Sequence, residues 1–205
     1  MATAARSREG FATAASWFAT TVGRLPPDAW DRPGLGDWDV RALVGHTSRA
    51  LVTVEQYLAA PPVEVTIPDP VDYYLLALRS LGEPAAVAER GRQAGAALGD
   101  EPGAAVRTLA DRVVALLERT DDDALVATPV GGMRLAAYLP TRVFELTVHT
   151  LDLANAVGVT TDPPEAAAEV ALEVLAGLAR RRGLAGALLL AATGRGPLPQ
   201  GFNLV

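Results

Sequence analysis

Four polar side chains share one stripe of an otherwise apolar segment, Leu135 to Gly158 (LAAYLPTRVFELTVHTLDLANAVG). Arg142, Glu145, His149 and Asp152 recur at spacings of three and four, which on a helix places them on one face. Val143, Leu146, Leu153 and Val157 lie to one side of that stripe, and Phe144, Val148 and Leu151 to another. A helix that is hydrophobic nearly all round belongs inside a bundle, where a charged group is costly unless it pairs or holds a metal. Glu145 and His149 are one turn apart, close enough to grip one ion. The chain has two histidines, and the other, His46, sits at the edge of the inward face of a second helix, one turn from Leu43 and one from Ala50. Two imidazoles and one carboxylate leave a coordination position open, as a catalytic zinc site does. Asp152 is placed to accept a hydrogen bond from a ligand imidazole. Arg142 would offset negative charge or grip an anionic substrate. The stripe also admits a metal-free reading, a buried ion pair of Arg142 with Asp152 or Glu145 beside a core His149.

The composition narrows the chemistry. Half of the 205 residues are hydrophobic and 5% are aromatic, and the abundance of Ala, Leu and Val leans helical. A net charge of −6 without a basic patch argues against nucleic acid, and Arg180-Arg181-Arg182 reads as a cationic helix end. There is no cysteine, so disulfides and thiolate ligands are excluded and any sulfur must come from outside. The first residues carry charges where a signal peptide needs its apolar run, and no stretch of 18 apolar residues is present. The expectation is a cytoplasmic protein with no membrane partner.

The elements that must position the stripe follow from periodicity. Helices are predicted at about 7–23, 38–59, 71–98, 103–119, 138–157 and 165–182. Asp37 reads as the N-cap of the second, and the third is expected to break near Pro84 with Tyr74, Leu75, Leu78 and Leu81 inward. Pro61 to Pro70 is a connector, and Thr120 to Gly132, with Asp121-Asp122-Asp123, reads as a solvated loop. Gly183 reads as a helix stop. Ala187 to Ala192 is predicted as a short strand pairing with the final PLPQGFNLV. The division expected is a metal-binding bundle over 1–158 and a C-terminal extension over 159–205.

Two motifs add a resemblance. Trp38-Asp39-Val40-Arg41-Ala42-Leu43-Val44-Gly45-His46 resembles the W-x-V-x-x-L-x-x-H pattern of DinB-like bundles related to mycothiol-dependent maleylpyruvate isomerase. The segment from Arg142 to Ala154 resembles the same family's R-x-x-E-x-x-x-H-x-x-D-L-A pattern. The resemblance covers residues about 7 to 158. It implies a mostly α fold, an antiparallel four-helix bundle holding a divalent metal, usually zinc, on His46, Glu145 and His149. It further implies a small-molecule substrate and mycothiol as thiol cosubstrate, with the metal making the thiol a nucleophile. A homodimer is a further partner expectation, carried by no residue of the sequence. The chain departs from the pattern in two places. Arg32-Pro33-Gly34-Leu35-Gly36-Asp37 stands where many relatives have Thr-Pro-Cys, and the segment after Gly158 is shorter than the isomerase's substrate domain. A thiol S-transferase or an isomerase is therefore expected; the alternatives are a non-enzymatic metal- or thiol-binding bundle and a zinc-water hydrolase with Asp152 or Glu55 as base.

Overall fold

The structure, a computed structural model, describes residues 3–61, 64–80 and 84–205, and among these it forms eight α-helices, one 3-10 turn (Pro27–Ala29) and one hairpin. The helices are α1 (Ala4–Gly23), α2 (Val40–Ala59), α3 (Pro70–Ser80), α4 (Pro84–Ala97), α5 (Pro102–Glu118), α6 (Leu135–Ala156), α7 (Glu165–Arg181) and α8 (Ala185–Ala192), with strands β1 (Leu125–Thr128) and β2 (Gly131–Arg134) between α5 and α6. The chain is the mostly α, DinB-like bundle that the two motifs imply. Its centre is a ring of four helices in which α1 touches α5 and α6, and α2 touches the same two. Apolar residues spaced by three and four explain the ring: Phe11, Ala14, Ala15, Phe18 and Val22 from α1 and Val106, Leu109, Val113 and Leu117 from α5 are buried. Leu43, Ala50, Leu51 and Val54 from α2 meet Leu139, Val143, Leu146 and Leu153 from α6 in the same core. α7 packs on α1 and α6, adding Ala167, Val170, Val174 and Leu178 to that core.

α4 lies along α2 at very short range because two glycines meet there. A Cβ on Gly45 would stand 2.0 Å from the backbone nitrogen of Gly95, and one on Gly95 would stand 2.6 Å from the Arg41 carbonyl oxygen. Only glycine permits that approach. Arg41 then ties the helices by donating from Nε to the Gly95 carbonyl at 3.2 Å and from Nη2 to the Gly99 carbonyl.

Several expectations change. The N-cap of α2 is Asp39, not Asp37: Asp39 stays extended, and the chain before it is held by Gly34 N–H to the Trp38 carbonyl (2.8 Å) and by a bridge between Pro33 and Asp39. The helix at 71–98 is two helices, as the break expected near Pro84 implies, but Leu78 is exposed because Val71, Tyr74 and Ala77 take the inward face; Leu81 lies outside the described residues. The loop at 120–132 contains β1 and part of β2, antiparallel with Val126 opposite Met133. Its four-residue strands are too short to show alternation. The hairpin draws in the connector: Thr66 and Ile67 both donate from backbone N–H to the Gly132 carbonyl, at 2.9 and 3.0 Å. β1 also lends its neighbourhood to α6, since Leu135 and Ala136 donate to the Ala124 and Asp122 carbonyls. Those bonds satisfy two first-turn N–H groups, so α6 starts at Leu135 and carries Pro140 inside it. The C-terminal strand pair does not form. Ala187 to Ala192 belong to α8, in keeping with the helix propensity of Ala and Leu and the lack of β-branched residues, and 197–205 contains no strand. On the apolar side of α6 that Phe144, Val148 and Leu151 form, Phe144 is buried and Leu151 is exposed.

Candidate metal centre

α2 and α6 lie side by side and bring the three candidate ligands together. Asp39 fixes the phase of α2 by accepting the Ala42 N–H at 2.7 Å, and His46 follows two turns later. The next two polar residues of α2 satisfy themselves: Thr47 and Ser48 donate to the Leu43 and Val44 carbonyls one turn back. His46 does not. Its ring is held between the Trp38 indole, centroids 4.3 Å apart, and the His149 ring, which meets it edge-on at 4.8 Å. Trp38 is itself pinned by a 2.9 Å hydrogen bond from Nε1 to the Ala88 carbonyl, and it rests against Gly91, where a Cβ would stand 2.6 Å from that nitrogen.

One ligand atom from each of His46, Glu145 and His149 can be chosen so that all lie within 4.8 Å of one another. Among the described residues this is the one cluster of three or more potential metal-binding side chains. On α6, His149 Nε2 is 3.2 Å from Glu145 Oε2, and Nδ1 is 3.0 Å from Asp152 Oδ2. The second contact sets Asp152 behind the imidazole, where a carboxylate orients a ligand histidine. The Glu145 and His149 side chains are 24 and 17% exposed, so the cluster is neither sealed nor on the open surface.

Three tyrosines that the polar stripe did not include complete the surroundings. Tyr74, read only as core, donates its phenol to Glu145 Oε1 at 2.7 Å and reaches the Thr141 carbonyl at 3.1 Å. Both carboxylate oxygens of Glu145 are therefore directed, one by Tyr74 and one by His149. Tyr73 and Tyr138 flank Arg142, whose guanidinium carbon lies 5.6 and 4.9 Å from their ring centroids. All four tyrosines of the chain gather here: Tyr57 meets Tyr138 at a tilt, centroids 5.8 Å apart, and Tyr73 meets Tyr74 edge-on at 5.5 Å.

Arg142 is 8% exposed and has no carboxylate within 4 Å among the described residues. The metal-free reading of the stripe, an Arg142 pair with Asp152 or Glu145, is not what forms. The guanidinium instead donates from Nε to Thr141 Oγ1 at 3.0 Å and from Nη2 weakly to Tyr73 at 3.4 Å. Glu55, the other acid considered as a base, gives both oxygens to Arg112 at 2.7 and 2.9 Å. The acidic triplet is likewise engaged, with Asp122 on Arg8 and Asp123 on Arg134.

The electrostatics divide the histidines. Burial, and next the charge of His149, push His46 down to about 4, so it is a neutral imidazole with a lone pair. Burial acts the same way on His149, but hydrogen bonds to Asp152 and Glu145 and their charges outweigh it and hold it at about 9. Burial would raise Glu145, yet the His149 hydrogen bond, the His149 and Arg142 charges and the Tyr74 phenol hold it at about 2. Burial raises Tyr74 well above its ordinary value, so it is a neutral donor.

The donor set suits a divalent ion of intermediate softness. It consists of two imidazoles and one ionised carboxylate, and His46 Nδ1 is buried with no hydrogen-bond partner. A buried polar atom without a partner is rare, and an ion is one way to satisfy it. A cleft of about 320 Å³, lined by Asp69, Val71, Pro140, Val174, Gly177 and Arg180 among others, includes none of the three.

A search of curated proteins and a search of solved structures each find no match. The family model for the mycothiol maleylpyruvate isomerase N-terminal domain matches residues 11–154, a span that runs from α1 almost to the end of α6 and takes in all three candidate ligands. With both motifs, the helix ring and most of the chain inside that span, the protein belongs to the mycothiol maleylpyruvate isomerase N-terminal domain family.

Proposed function

We propose that the protein is a metal-dependent enzyme that uses a low-molecular-weight thiol, mycothiol, to attack a small electrophilic substrate, as an S-transferase or an isomerase. The observation that carries the reading is the convergence of His46, Glu145 and His149 with an orphaned, buried nitrogen on His46. Zinc is the ion that best suits two imidazoles and a carboxylate. When bound, it would supply a Lewis acid able to keep a thiol deprotonated near neutral pH. The absence of cysteine accords with a thiol brought by the cosubstrate.

The remaining work falls to the chain's own groups. Asp152 holds the His149 ring in the orientation in which Nε2 faces Glu145. Tyr74 keeps Glu145 from rotating away by engaging its outer oxygen. Arg142 supplies a fixed positive charge beneath the site, favouring an anionic reactant there. Trp38 closes one side of His46 against water.

Metal analysis of the purified protein should give about one zinc per chain, and H46A should lose the ion while keeping its helical spectrum. The activity is tested by incubating the metal-loaded protein with mycothiol and a panel of electrophiles. Conjugation or isomerisation that needs both metal and thiol is the expected result. A second reading, a bundle that binds metal or thiol without turnover, is favoured by the position of the cleft, which is not lined by the triad. Metal uptake with no rate above background on any electrophile would select it. A hydrolase using metal-bound water has less support, because Glu55 is held by Arg112 and Asp152 by His149; turnover without thiol would revive it.

A further inference from the structure

α8 is the most apolar helix of the chain, AGALLLAA, and none of its residues is buried. Leu184 and Leu188 lean on the core from this segment, but Leu189 and Leu190 are 64 and 52% exposed. Leu198 and Val205 are exposed beside them in sequence. A helix that is apolar all round is normally covered. At eight residues it is too short to cross a bilayer, and no helix among the described residues is long and apolar enough to do so.

Along the sequence, the segment that carries α8 has the opposite charge to the rest of the chain. From Val174 to Val205 there are four arginines, Arg180, Arg181, Arg182 and Arg195, and no Asp or Glu. All 24 acidic residues therefore lie in 1–173, against the remaining 14 of the 18 basic ones, so that part carries −10 and the segment with α8 carries +4. Arg181 is paired with Asp72, and Arg182 donates to the Asn203 carbonyl. Arg180 and Arg195 have no carboxylate within 4 Å among the described residues.

We propose that α8 and its arginines form a docking surface for an anionic lipid membrane, on which the helix lies in the interfacial plane. α8 itself carries no charge, but exposed leucines flanked in sequence by Arg180, Arg181, Arg182 and Arg195 combine apolar area with attraction to anionic lipid, the two contributions on which interfacial binding rests. The acidic remainder would be repelled by the same surface, so the molecule approaches with α8 toward the lipid. A second copy fits less well. Two α8 segments face to face would bring like charges together, and α8 against the acidic part of another copy is a heterologous contact that need not close. A protein partner would find only Ala, Gly and Leu side chains on the helix, none able to direct a hydrogen bond. A lipid surface asks for no such direction.

The test is flotation of the full-length protein with vesicles of phosphatidylcholine alone or with about 30% phosphatidylglycerol. Binding to the anionic vesicles should exceed that to neutral ones about tenfold and fall as salt is raised. The double variant L189S/L190S should lose about tenfold in partition, and R180Q and R195Q about fivefold each. All these side chains are exposed, so thermal unfolding of the variants should match the wild type. No binding to anionic vesicles at low salt overturns the proposal. So does binding that L189S/L190S leaves unchanged. A concentration-dependent dimer in solution that the same double substitution dissolves would assign α8 to a second copy instead, and would also overturn it.

Discussion

The Tyr74 phenol donates a 2.7 Å hydrogen bond to Glu145 Oε1, while the other oxygen of the same carboxylate faces His149 Nε2 at 3.2 Å. One helix, α3, thus fixes the carboxylate that another, α6, presents. Partners of this kind typically change metal affinity by about 10–100-fold when removed. Y74F keeps the ring and its packing on Phe144 but leaves Oε1 without its donor. We expect zinc affinity, measured by competition with a chelator, to fall by about tenfold, with a loss of about 1–2 kcal/mol in unfolding free energy. Unchanged affinity would remove Tyr74 from the site.

Metal uptake should release a countable proton. Near pH 7, His46 with a value of about 4 is already neutral, and Glu145 with one of about 2 is already ionised. His149, held at about 9, is still protonated and must give up its proton to bind an ion. Calorimetry in buffers of different ionisation enthalpy should give about one proton released per ion near pH 7 and none well above pH 9. A count near zero at neutral pH would mean that His149 is not held protonated.

The metal-free protein should also respond to pH, with the two histidines acting in opposite senses. The raised value of His149 contributes stability that is fully present below its unfolded value of 6.5 and is lost as pH rises through about 9. The lowered value of His46 contributes above 6.5 and is lost as pH falls toward about 4. Thermal unfolding of the chelated protein should therefore weaken on both sides of neutrality. In H46A the acid limb should flatten while the alkaline limb persists; an unaltered acid limb would contradict the assignment.

How far the site could be read from the chain depended on where its parts came from. Glu145, His149 and Asp152 lie within eight residues on one helix, where spacing alone places them on one face, and His46 was inward on its own helix by the same rule. Tyr74 was legible as an inward aromatic, but its partner is 71 residues away, and periodicity does not report such a contact. The split of 71–98 followed from Pro84. The hairpin at 125–134 did not, because strands of four residues, LVAT and GGMR, are too short to show alternation, and the connector contact through Thr66 and Ile67 that steadies it is again remote. Ala187 to Ala192 was ambiguous as an apolar run, and its helix-forming composition decided the matter.

The glycine contact between α2 and α4 has a direct consequence for His46. Gly95 lies against the Arg41 carbonyl, and Gly91 accommodates the Trp38 indole that packs on His46. G95A must push the helices apart, because the atom in the way is backbone. We expect a loss of about 2–3 kcal/mol in stability, measured by denaturant unfolding. G91A should cost less, since an indole can shift, but should disturb the site more, seen as weaker zinc binding or altered Trp38 fluorescence. Equal and small effects from both would show that α4 does not set the position of Trp38.

Arg142 offers a case in which stability and function should move apart. A guanidinium is always charged, this one is buried among Tyr73 and Tyr138, and no carboxylate lies within 4 Å of it among the described residues. Burying a charge without a close counter-ion is costly, and an apolar side chain of similar length removes that cost. R142M should therefore leave the unfolding midpoint unchanged or raise the stability by about 1 kcal/mol. The same change takes away one of the charges that hold Glu145 low, so on acidification the ion should leave at a higher pH than in the wild type. Thiol-dependent turnover should fall about tenfold or more if the positive charge favours an anionic reactant, and R142K should recover part of it. A large loss of stability in R142M with the metal-release pH unmoved would make Arg142 a packing residue, held for its contacts with the tyrosines.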